Sequence, residues 1–132
     1  MLKHIKNLLK ENSFIIASIV TVIILCLSLI KLPQAADIKI SNIDKAYHSI
    51  AYFTLAIAWL IVYYKKPNKK YIIVICCIIF GIVIELLQSK ITVHRTGDYY
   101  DILANSSGVL FALLIFNLIS KKNRLINKKT CI

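Results

Sequence analysis

The chain has 132 residues, 58% of them apolar, and a formal net charge of +11, with a mean hydropathy of +0.72. That apolar content exceeds what one soluble core of this length needs, which excludes a soluble fold. The charge would suit a nucleic-acid binder in a soluble protein, but here it falls in short segments between apolar runs, and nucleic acid is not expected as a partner.

Lys3, Lys6 and Lys10 precede the first apolar run, residues 14–30. A spanning helix needs about 20 mostly apolar residues. The run is long for the h-region of a signal peptide, about 7–15 residues, and Leu-Pro-Gln-Ala-Ala after it lacks small residues in an A-x-A arrangement, so this segment is expected to stay as an anchor. Further runs follow at about 46–64, 71–89 and 104–120. Stretches such as IIVICCIIF are apolar in every register, which fits helices and not the alternation of a membrane β-barrel. Three Gly, two Pro and no internal repeat leave one domain over residues 1–132: an all-α, polytopic bundle of four transmembrane helices.

The seventeen basic residues set the orientation. Three precede the first helix, three lie in the first connection, four in the second, two in the third and five in the tail. Alternate segments then hold twelve against five. By the positive-inside rule both termini are cytoplasmic. Glu11 is the single acid on that side; Asp37, Asp44, Glu85, Asp98 and Asp101 fall toward the other. The excess charge is a topology signal whose partner is anionic lipid. Cys26, Cys76, Cys77 and Cys131 avoid the outer connections and read as small apolar residues. Cys131 stands second from the end and forms no prenylation box.

Polar groups inside spanning segments are costly, about 2.5–3.5 kcal/mol for a charge at the bilayer centre, so their positions carry information. Asp44, His48 and Tyr52 are four apart on the second helix, on one face, with Lys45 beside them. Gly81, Glu85 and Gln88 share a face of the third, and Asp101, Asn105, Gly108 and Ala112 one of the fourth. The second and fourth helices run inward and the third outward, so all three stripes meet near the outer interface. Arg95 and Asp98 lie in the connection above, where Gly97 permits a tight turn. Local roles are also open to these residues: His48 and Glu85 as a pair fastening two helices, Asp101 and Asn105 as cap and first turn of the fourth. Ala104, Gly108 and Ala112 suit close helix approach, and Tyr99, Tyr100 and Trp59 suit an interfacial aromatic belt.

The blocks Asp44-Lys45-x-x-His48-x-x-x-Tyr52, Glu85-x-x-Gln88 and Arg95-x-x-Asp98-x-x-Asp101-x-x-x-Asn105-x-x-Gly108, in this order and spacing, resemble the VanZ-like family of bacterial membrane proteins. The resemblance runs from Asp44 to about Ala112, with the first helix matching in hydropathy alone. Ala112 stands where the family often has a second Gly, a conservative departure for packing. The family's founding member is associated with low-level resistance to teicoplanin. The resemblance implies a multi-pass protein of the bacterial cytoplasmic (inner) membrane in a cell-envelope setting, and supplies no reaction.

Three functions stay open on the residues. In a binding role, Asp44, Lys45, His48, Tyr52, Glu85, Gln88, Arg95, Asp98, Asp101 and Asn105 would hold the polar part of a lipid-linked envelope precursor or a lipoglycopeptide, with membrane lipid around it. In an enzyme, His48 would be acid or base, Glu85 its partner and Arg95 an anion clamp on a lipid headgroup, with Asp101 a further catalytic candidate. No Ser or Cys stands in a nucleophile motif, and Ser106-Ser107 reads as packing. In the third role the cluster holds a scaffold for assembly with other membrane proteins. His48, Glu85 and Asp101 lie on separate segments without metal-binding spacing, so neither a metal nor a cofactor is expected.

Overall fold

The computed structural model describes residues 2–29, 41–91 and 99–130. Four helices account for nearly all of them: α1 (Leu2–Leu29), α2 (Ser41–Val62), α3 (Lys70–Ile91) and α4 (Tyr99–Thr130). Each contains a stretch long and apolar enough to cross a membrane. Among the described residues there is no strand.

The helices are longer than the apolar runs. α1 starts near Lys3 rather than at Phe14, and α4 continues ten residues past Ser120. Lysine, leucine, asparagine and arginine fill these extensions, with no Gly or Pro to stop them, so a helix begun in the apolar segment propagates outward at little cost. At about 1.5 Å per residue α4 is roughly 48 Å long, against about 30 Å of hydrocarbon, and its basic end lies beyond the apolar span. α2 and α4 also begin earlier than the apolar runs, at Ser41 and Tyr99, which puts Asp44 and Asp101 in their first turns. An acid there meets the positive end of the helix dipole.

Between α2 and α3 the chain reverses tightly. Lys66 leaves the helical region (φ −118°) as the residue before a proline must, and Pro67 opens a one-turn 3₁₀ helix, Pro67–Lys69. The freed backbone groups pair locally: Tyr64 N donates to Ile61 O at 3.2 Å and Lys66 N to Tyr63 O at 2.8 Å.

α2 and α4 form the main seam. Gly108 lies against the α2 backbone, where a Cβ would overlap the Ser49 carbonyl, and Val109 and Ala112 are fully buried beside it. Small residues at helix contacts are how membrane helices gain packing, since lipid supplies no hydrophobic drive between them. α1 packs on α2 and more lightly on α3, through fully buried Ala17. There Trp59 Nε1 donates to Thr21 Oγ1 at 3.0 Å and takes Phe14 edge-on at 5.6 Å, so Trp59 ties two helices together. The outward faces of α3 and α4, including Ile72, Ile75, Ile79, Leu110, Leu114 and Leu118, are exposed. Apolar surface of that extent is a lipid-facing belt.

Candidate functional site

The described residues bury four polar or charged side chains, Glu85, Gln88, Asp101 and Asn105, each 2–5% exposed. All four sit at the end of the bundle where α1 and α3 finish and α2 and α4 begin. The three stripes read in the sequence do converge.

His48 is at the centre. Its Nδ1 donates to Asn105 Oδ1 at 3.2 Å, and Glu85 Oε1 is 3.7 Å from the same nitrogen. Accepting oxygens face both ring nitrogens, and the contact within hydrogen-bond reach, to Asn105 Oδ1, favours the proton on Nδ1. The opposite nitrogen, Nε2, faces Asp101 Oδ2 at 4.0 Å. Asp44, one helical turn before His48, completes a group in which one atom each from Asp44, His48 and Asp101 lie within 4.8 Å of one another. Thus α2, α3 and α4 each deliver at least one charged or polar side chain to one imidazole.

Tyr52, the next residue on the α2 stripe, is 2% exposed. Its ring occupies the space a side chain at residue 81 would need, 3.0 Å from the position of a Cβ. Gly81 therefore seats the ring. The Tyr52 hydroxyl and the Asn105 amide nitrogen are buried with no hydrogen-bond partner among the described residues. Buried donors left this way are uncommon and ask for an acceptor.

At the rim the residues separate. Gln88 Nε2 donates to the Ser28 carbonyl at 2.7 Å, in the last described turn of α1. The Lys45 ammonium lies over the Tyr100 ring, 5.0 Å from its centre, linking α2 to α4. Ser107 Oγ donates to Ala104 O at 2.8 Å and lies 3.5 Å from Ser49 Oγ, a packing role in the α2–α4 seam. Arg95 and Asp98 lie outside the described residues.

Two grooves open between α1, α2 and α3. One, of about 390 Å³, is lined by Asp44, His48, Tyr52 and Gln88 of the polar stripes together with the aliphatic Ile24, Leu27 and Ala51. The second, of about 420 Å³, lies toward the other end of the bundle; Leu55, Trp59, Ile73 and Phe80 line it, Lys69 is at its edge, and it contains no acid or histidine. Tyr52 of the first and Phe80 of the second are neighbours, their ring centroids 6.3 Å apart. Ile24, Leu27 and Ser28 of α1 were not singled out in the sequence, where α1 shows only its hydropathy. Placing them at the cluster takes the tertiary packing of α1 on α2.

A family model described as VanZ/LLP1 matches residues 2–120. The match includes α1, beyond the span over which the motif blocks carry the resemblance. No curated protein and no solved structure matches the chain.

Proposed function

The chain belongs to the VanZ/LLP1 family of membrane proteins, and we propose that it binds an envelope amphiphile, a lipid-linked precursor or a lipoglycopeptide of the teicoplanin type, at the buried polar cluster. The observation that carries this reading is the mixed lining of the groove beside His48: acid, imidazole, phenol and amide together with aliphatic side chains. A ligand with a hydrogen-bonding head and an apolar tail matches both kinds of lining at once. The second, apolar groove supports a long tail.

In this reading the protein lies in the bacterial cytoplasmic membrane with both termini in the cytoplasm and the cluster in the outer leaflet. The exposed Lys65, Lys66, Lys121, Lys122 and Arg124 at the opposite end of the bundle support that orientation. The test is native mass spectrometry of the purified protein. A retained envelope lipid that is lost when His48 is changed to Ala is the expected result. Protein that releases no lipid, or the same lipid from both forms, contradicts it.

One observation favours an enzyme as the second reading. An imidazole whose Nδ1 is held by Asn105 and Glu85 has its other nitrogen oriented for proton transfer. The same spectra separate the two: an intact lipid supports binding, a lipid with an altered headgroup supports catalysis.

A further inference from the structure

We propose that Asp44, His48 and Asp101 form a binding site for one divalent cation that accepts an imidazole nitrogen and two carboxylate oxygens, such as Mn²⁺ or Zn²⁺. Asp44 and His48 are four residues apart on α2, a spacing that presents two ligands from one helical face to one ion. Asp101 comes from the first turn of α4. No short motif joins the three, which is why sequence spacing gives no metal signal; the α2–α4 seam brings them together.

Three features of the site fit the ion. First, the imidazole is prepared for it: Nδ1 donates to Asn105 Oδ1 at 3.2 Å with Glu85 behind at 3.7 Å, leaving Nε2 as the lone-pair nitrogen on the side of Asp101. A metal-binding histidine is commonly held by such a hydrogen bond through its second nitrogen. Second, the ligand atoms lie within 4.8 Å of one another, while bonds of about 2.1 Å to one centre put ligands roughly 3–3.4 Å apart. Asp44 is exposed and has room to move inward, and the 4.0 Å between His48 Nε2 and Asp101 Oδ2 must also shorten when the ion binds. Third, the Tyr52 hydroxyl and the Asn105 amide nitrogen, both on residues 2% exposed, are donors without a partner among the described residues. Tyr52 lines the groove with Asp44 and His48 and Asn105 contacts the imidazole, so a water or oxyanion brought in with a cation would find donors close by. A protein that supplies three ligands leaves coordination positions open. A phosphate oxygen of the amphiphile proposed above would fill one; that extension rests on the amphiphile reading, whereas the cation site stands on the side chains alone.

The experiment uses the full chain in detergent, stripped with a chelator, desalted and titrated with Mn²⁺ alone. The free-ion electron paramagnetic resonance signal reports binding, and Zn²⁺ is then added as competitor. One ion per chain is expected, displaced by Zn²⁺. His48→Ala and Asp44→Asn should each weaken binding tenfold or more, and Glu85→Gln, which acts only by orienting His48, by about tenfold. Asp44 is exposed, so Asp44→Asn carries the test if His48→Ala does not accumulate. Failure to bind Mn²⁺ stoichiometrically, or equal affinity in Asp44→Asn, overturns the proposal. Where Mn²⁺ fails to bind, an envelope lipid still retained by the same metal-free protein leaves the amphiphile reading standing without the cation site.

Discussion

At one end of the bundle Glu85, Asp101 and Asn105 are 2–5% exposed and packed around His48; at the other, Lys65, Lys66, Lys69, Lys121, Lys122 and Arg124 are all exposed. These groups differ in sign and in state, buried acids at one end and exposed cations at the other. Exposed cations cost little and act through their number, orienting the chain and attracting anionic headgroups. Buried acids are expensive and persist only where specific neighbours hold them. Counting charges thus explains the basic end, while the other end requires residue-by-residue geometry.

The largest expected effect comes from breaking the seam that builds the buried end. Gly108→Leu would drive a side chain into the Ser49 carbonyl. Helices α2 and α4 would separate and carry Asp101 and Asn105 away from His48, with a stability loss on the order of 3 kcal/mol. Thermal unfolding in detergent measures it. A stable Gly108→Leu protein would mean that the close approach of α2 and α4 is not what assembles the cluster.

A smaller effect is expected inside the cluster. His48→Ala and Glu85→Ala in a double-mutant cycle should show coupling of about 0.5–2 kcal/mol, because either change alone strips a buried polar group of a neighbour at 3.7 Å. Additive unfolding energies would remove that contact from the account. The basic end should behave differently: Lys121→Gln and Arg124→Gln are expected to leave the unfolding temperature unchanged. The role proposed for them is orientation, read by an impermeant thiol reagent in intact cells on a cysteine-free background. Single cysteines at Lys39 and Thr96 should react, and ones at Asn68 and Asn127 should not. Labelling at Asn68 without labelling at Lys39 would move the cluster to the cytoplasmic side.

The number of helices was readable from four apolar runs separated by polar segments. Residues four apart share a helical face, and His48, Glu85, Asp101 and Asn105 come together from such faces, while Gln88 and Lys45 turn to other partners and Arg95 and Asp98 lie outside the described residues. The extent of α1 and α4 was not readable in this way, since hydropathy marks where lipid ends and not where hydrogen bonding ends. The bond from Gln88 to Ser28 was hidden because its acceptor is a backbone carbonyl, which has no sequence signature. Trp59 looked like an interfacial residue by type, yet its indole N–H found Thr21 across the α1–α2 contact. The convergence of Asp44 with His48 and Asp101 combines a local spacing with a tertiary contact, and only the first was visible.

We propose that the buried end is a charge-dependent ligand site and not a fastening for the bundle. Glu85→Gln and Asp101→Asn test it most directly, because each amide keeps the shape and most hydrogen bonding of its acid and removes the charge. Co-purifying envelope lipid per mole of protein, measured by native mass spectrometry beside membrane abundance, is predicted to fall to background in both variants while abundance stays near wild type. Lipid retained in both variants, or lost only in proportion to protein, would contradict the claim and leave the cluster a scaffold.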